Sequence, residues 1–143
     1  MDTIIGKQFP LKVIPLIDKS ANTIDIIVFD WRWYPQDPGA SVQLFNQAIV
    51  RAVRRGVKVR VVTNAVDIVH RLNELGCHAR KLVSKSLVHA KMMLIDSATV
   101  IVGSHNYTQS AFQMNYELSV ILEKPENIAD FSSFFDNLYN TNG

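Results

Sequence analysis

The chain has 143 residues, 48% hydrophobic and 20% charged, with a net charge of +2 and a single cysteine. That length is one domain, 1–143, with enough interior to fold without a disulfide or metal staple, and the composition excludes an intrinsically disordered chain. No apolar run approaches the roughly 18 residues of a membrane-spanning helix and the N-terminus lacks a signal-peptide pattern, so with Cys77 unable to pair within the chain the expected compartment is the reducing cytoplasm.

Residues 1–50 and 92–143 carry −1 and −5, whereas residues 51–91 carry +8. A basic middle points to an anionic partner, a phosphate backbone or an acidic lipid surface. On charge alone, a solvated face explains it as well.

The elements alternate along the chain. Residues 10–21 have helical spacing, which Pro15 should kink or shorten. Thr23–Phe29 is a β-branched run suited to a buried strand. A loop of Trp31, Arg32, Trp33, Tyr34 and the turn formers Pro35, Asp37, Pro38 and Gly39 follows. A helix over residues 38–55 presents Leu44, Phe45, Ala48, Ile49, Ala52 and Val53 on one face. Asp37 is its expected cap, Pro38 suits its first turn and Gly56 should end it. Val57–Thr63 is a second strand, parallel to the first across this βαβ unit. A short helix around Ile68–Leu75 stops at Gly76, and a short strand around Cys77–Leu82 follows. Leu87–Ile95 and Thr99–Val102 read as a hairpin turning at Asp96-Ser97-Ala98. Tyr116–Leu122 reads as another strand. A closing helix presents Ile128, Phe131, Phe134, Phe135 and Leu138, with the phenylalanine stripe expected in the core. At the N-terminus only Thr3-Ile4-Ile5 is available for a strand. The fold class is α/β, a mixed sheet flanked by helices.

The chemistry concentrates in three short segments: His89-Ala90-Lys91 through Asp96, Gly103-Ser104-His105-Asn106, and Glu117. Residues two apart in a strand share a face, so His89 and Lys91 point the same way. Asp96 lies an odd seven residues beyond His89, at the turn, and reads as an anchor rather than a reacting carboxylate. The hairpin returns Ser104 and Asn106 beside His89 and Lys91 as donors for phosphate oxygens. Glu117 is the candidate to accept from one imidazole nitrogen of His89 and leave the other free to attack. His70, Cys77 and His78 lack metal-ligand spacing, so no zinc site is expected. Met92 and Met93 read as strand packing. His105 reads equally as a substrate contact or a bystander. Trp31, Arg32 and Trp33 are candidate substrate contacts, through base stacking, or alternatively interface and core packing.

These residues resemble the phospholipase D superfamily, whose signature is His-x-Lys-x4-Asp, then Gly-Ser/Gly-x-Asn, then a later acidic residue. The match is His89, Lys91 and Asp96, then Gly103, Ser104 and Asn106, then Glu117. Arg55-Gly56-Val57 also resembles the family's helix-to-strand turn, and the resemblance covers roughly residues 10–140. It implies a phospholipase D-like sheet and hydrolysis of a phosphodiester through a phosphohistidine, with no metal or other cofactor. Single-copy members form homodimers with the site on the two-fold axis. The implied roles are nucleophile for one His89 and acid for the other, with Lys91 and Asn106 of both chains on the non-bridging oxygens and Ser104 supporting them.

The basic middle and the absence of a long amphipathic helix favour a nucleic-acid substrate, DNA before RNA. Membrane phospholipid, as in the cardiolipin hydrolase-like branch, is the alternative, and a DNA-binding dimer without activity is the third reading. No sequence-reading module is present, so site specificity would come from an additional domain or subunit of a longer restriction or repair protein.

Overall fold

The computed structural model describes residues 1–141. Its elements are β1 (Asp2–Ile5), α1 (Gln8–Asp18), β2 (Thr23–Val28), α2 (Ser41–Arg54), β3 (Lys58–Thr63), α3 (Val66–Glu74), β4 (His78–Lys81), β5 (Lys91–Ile95), β6 (Thr99–Gly103), α4 (Gln109–Gln113), β7 (Leu118–Glu123) and α5 (Ile128–Thr141). The strands form one seven-stranded sheet in the order β1-β7-β6-β5-β2-β3-β4. β2, β3 and β4 run parallel, and every other neighbouring pair is antiparallel.

Strand alternation divides the interior in two. Ile24, Ile26 and Val28 of β2 and Met93 and Ile95 of β5 join one cluster, with residues of α1, α2, α3 and α4. Ile27, Met92 and Leu94 face the other way, into a smaller cluster closed by Phe135 and Tyr139 of α5. Burial on both faces explains why these strands read as continuous apolar runs. Phe134, expected in the core with its neighbours, is instead 49% exposed.

Several boundaries differ from the sequence reading for identifiable reasons. α1 runs through Pro15 to Asp18. The hydrogen bond that proline removes would reach Leu11, an exposed residue, so the helix tolerates the loss. Asp37 does not cap α2. The helix starts later, after Ala40, and Gln109 Oε1 accepts from the Val42 amide at 3.2 Å, a cap supplied from α4. Gly56 and Gly76 do end α2 and α3, at φ of 97° and 103°. β5 begins at Lys91, four residues later than its apolar pattern, because Val88 donates to Asn64 Oδ1 (3.2 Å) instead of to a neighbouring strand. β7 begins at Leu118, which leaves Tyr116 and Glu117 just outside it. The five-residue α4, capped by Thr108, is too short for a periodic signal.

The basic middle is partly structural. Arg60 forms a two-pronged pair with Asp25 at 2.8 Å and reaches Asp136 at 3.3 Å, and its hydrogen bond to Asp25 raises its pKa despite burial. Arg55 donates to Ile17 O and Ser20, and the Arg80 guanidinium lies 3.8 Å from the Tyr139 ring centroid. Arg60 and Arg80 hold α5 to the sheet and Arg55 ties the end of α2 to that of α1, so the anion-facing charge is smaller than the raw count.

Candidate active site

The site lies at the carboxyl ends of β2 and β3, where open α/β sheets place their crevices. β5 runs antiparallel to β2, so its first residue arrives at that same edge. Register then aligns three strands: Lys91 pairs with Gly103, and Gly103 with Ser119. A Cβ on Gly103 would sit 2.3–2.4 Å from Ser119 and the Leu118 carbonyl, so only glycine lets β6 and β7 approach here.

The structure brings His89, Lys91, Ser104, Asn106 and Glu117 to this edge. His89 is exposed, with its Nδ1 3.4 Å from Lys91 Nζ and its ring 6.2 Å from that of Phe29. Lys91 is 8% exposed. Burial lowers its pKa, and the nearby Glu117 charge opposes that shift. Asn106 Oδ1 accepts from the Asp30 amide at 3.1 Å, which fixes the side chain and orients its NH2 group. Ser104 is tied to β7 by two bonds with Leu118, one through its amide and one through its hydroxyl.

Glu117 does not bond to His89 as the sequence suggested. Its Oε1 accepts from Ser104 Oγ at 2.6 Å and its Oε2 from Asn115 Nδ2 at 3.1 Å. A lysine ammonium can only donate, so Nδ1 accepts and the neutral ring carries its proton on Nε2.

Asp96 lies at the other end of β5. Asp96 and Ser97 both have φ of 53°, and Ala98 N donates to Ile95 O, the geometry of a tight hairpin turn. The Asp96 carboxylate accepts from the amides of Ala21, Asn22 and Thr23. Burial pushes its pKa up, but these three bonds outweigh burial and the net shift is downward.

Two of the candidate substrate contacts are not accessible. His105 is 1% exposed, its ring tilted against that of Phe9 with centroids 4.6 Å apart, with Nδ1 2.7 Å from Ser119 Oγ and Nε2 2.9 Å from Gly6 O. The carbonyl must accept, so Nε2 carries the proton and the serine donates to Nδ1. Burial lowers its pKa. Trp31 is 2% exposed and donates to Asn46 Oδ1 at 2.6 Å. Arg32 is exposed and paired with Asp30, and Trp33 is half-buried. Sequence reading missed Gln43 and Asn46, buried polar residues of α2 that hold this loop. Asn46 donates to Arg32 O, and Gln43 accepts from the Tyr34 amide. Their polarity on an otherwise apolar helix face was the available signal.

Among the described residues no cluster of three His, Cys, Asp or Glu could hold a metal ion, and no helix is long and apolar enough to cross a membrane.

The family model described as cardiolipin synthase, PLD-like domain, matches residues 13–139. The chain therefore belongs to the phospholipase D superfamily. It is similar to a phospholipase D of Rickettsia conorii, 31% identical over 116 residues, covering 77% of this chain and 54% of that one. It is also similar to the mitochondrial cardiolipin hydrolase of Danio rerio, 34% identical over 101 residues, covering 66% of this chain and 44% of that one. The chain spans about half the length of these curated relatives. Among solved structures, the phospholipase D family member Nuc from Salmonella typhimurium superposes with a TM-score of 0.82 at 21% identity, covering 99% of this chain and 95% of that one. That likeness extends to the fold.

Proposed function

We propose that this chain is a phosphodiesterase that works without a metal, as a two-fold dimer, through a phosphohistidine on His89, with nucleic acid as substrate. The observation that carries the reading is the convergence of an exposed imidazole, a buried ammonium and an oriented amide on one strand edge.

The reaction needs a nucleophile and an acid, and the chain offers one accessible imidazole at the site. Both nitrogens of His105 are engaged in the interior. His70 lies on the outer surface of α3, and His78 opens β4 at the opposite end of the sheet. The second imidazole is therefore His89 of a second copy.

The two copies of His89 act in different protonation states. One, doubly protonated as an imidazolium once Lys91 has turned to the phosphate, delivers its Nε2 proton to the leaving oxygen and becomes neutral. In the other, the entering phosphate draws the Lys91 and Ser104 donors onto its non-bridging oxygens. That releases Nδ1 of His89 from Lys91, the ring proton moves to Nδ1, and Nε2 attacks with a free lone pair. The phosphorus–oxygen bond breaks and a phosphorus–nitrogen bond forms. Water then takes the phosphoryl group, its proton passing to the imidazole that acted as acid. Mixing wild-type chains with an equal amount of His89→Ala should give about a quarter of the wild-type activity per total protein if subunits exchange freely, where independent sites would give about half.

The basic block supports nucleic acid, since Arg54, Arg71, Lys81 and Lys85 remain exposed after the structural arginines are set aside. A second reading, a phospholipid substrate, is favoured by a cavity of about 380 Å3 beside His89, lined by Leu82, Leu87, Val88 and Phe134 among others. The test is cleavage in EDTA of plasmid, labelled oligonucleotides and phosphatidylglycerol or cardiolipin vesicles. Cleavage of nucleic acid that vanishes in His89→Ala supports the first reading. Turnover of vesicles alone moves the assignment to lipid.

A further inference from the structure

A second cavity, of about 480 Å3, adjoins the site and is lined by Asp30, Arg32, Trp33, Tyr34, Asp67 and Arg71, among others. It opens one residue from the phosphate cradle, because the Asp30 amide is the group bonded to Asn106 Oδ1. A groove of about 410 Å3 between α2 and α3 shares Trp33 and Arg71 with it and adds Gln47, Arg51 and Arg54. The two make one track leading away from the reaction centre.

The walls of this track are held firmly. Gln43 and Asn46 pin the backbone of the loop from inside, so Trp33 is presented from a fixed position. The Arg71 guanidinium lies 5.7 Å from the Trp33 ring centroid. Arg32 pairs with Asp30 and Arg51 with Asp18, exposed pairs that a phosphate can compete for at little cost. Arg54 and Arg71 have no ion pair among the described residues. Asp67 is the carboxylate without a cation in this lining.

We propose that this cleft is the subsite for the nucleotide next to the scissile phosphate, with its base stacked on Trp33 and the adjoining backbone phosphates met by Arg71 and Arg54. A half-exposed indole flanked by arginines is the arrangement that holds single-stranded nucleic acid without reading its sequence. A glycerophospholipid headgroup such as phosphatidylglycerol offers no aromatic ring to stack. The proposal rests on the nucleic-acid reading above and specifies where the flanking strand runs.

The test compares two phosphodiesters in EDTA: a short labelled single-stranded oligodeoxynucleotide, and bis(p-nitrophenyl) phosphate, which has no flanking nucleotide. Trp33→Ala should lower the oligonucleotide-to-small-substrate ratio of kcat/KM by roughly 5- to 100-fold, the range expected for losing one stacked base. Trp33→Phe should recover most of it, and Arg71→Ala should reduce the salt slope of oligonucleotide binding by about one. Should Trp33→Ala fold poorly, fluorescence carries the test. Oligonucleotide should quench the indole emission of His89→Ala protein, and far less when Trp33→Phe is added, because Trp31 is buried. Equal losses on both substrates, or quenching untouched by Trp33→Phe, would overturn the subsite while leaving the nuclease reading intact. A wild type that turns over the small substrate and vesicles but no oligonucleotide removes the nucleic-acid reading, and the subsite with it.

Discussion

At the closed end of the β5–β6 hairpin, Asp96 accepts three backbone amides of the α1–β2 connection, and the turn is fixed by two residues at positive φ. At the open end, His89 stands exposed with one long contact to Lys91, and Asn106 has committed its oxygen but not its NH2 group. One His-x-Lys-x4-Asp motif spans both ends. Its aspartate is a fold anchor, while its histidine is exposed and its buried lysine makes only one long side-chain contact, and what separates the two ends is how fully each polar group is partnered. His105 follows the same rule. It lies within the Gly-Ser-x-Asn segment, but both its nitrogens are satisfied, and it belongs to the interior.

The comparison predicts opposite consequences at the two ends. His89→Ala should lower phosphodiester hydrolysis by roughly 10^4-fold or more, as for other nucleophiles, while the thermal midpoint barely moves. Gly103→Ala, where the strands nearly touch, should cost about 3 kcal/mol of stability, measured by urea unfolding. Asp96→Ala should cost about 2 kcal/mol and leave turnover per folded molecule near normal. The folded Asp96 carboxyl holds its charge to lower pH than the unfolded one. Its contribution is complete above the ordinary value of 3.8 and is lost as pH falls through the lowered folded value. The smallest effect belongs to His105, whose folded pKa lies below the ordinary 6.5. The unfolded chain protonates there first, so stability is full above that pH and declines as pH falls below it. His105→Asn should remove that slope in a series of thermal melts. If His89→Ala destabilised the fold as much as Asp96→Ala, the division between the two ends would fail.

The βαβ unit, the hairpin turn and the helix stops at Gly56 and Gly76 were legible because each is fixed by residues close in sequence. The parts that were not legible depend on distant contacts. The cap on α2 comes from Gln109, 67 residues away, so Asp37 looked like the natural candidate. His105 is buried by the Gly6 carbonyl, 99 residues away, and by Ser119, which no local pattern announces. The basic middle suggested one anion-facing surface, but Arg55, Arg60 and Arg80 find their partners on α1, β2 and α5. At the site, strand parity suggested that His89 and Lys91 share a strand face, but β5 begins at Lys91 and His89 meets it from the preceding loop. The Glu117 partnership was not legible, because Ser104 and Asn115 compete for the same carboxylate.

The most direct measurement is hydrolysis of bis(p-nitrophenyl) phosphate in EDTA by wild type and His89→Ala, followed from about pH 4 to 9. The account predicts a bell-shaped wild-type profile, from one neutral and one protonated imidazole, and no measurable turnover in the variant. Activity that survives in His89→Ala, or that EDTA abolishes, would contradict it.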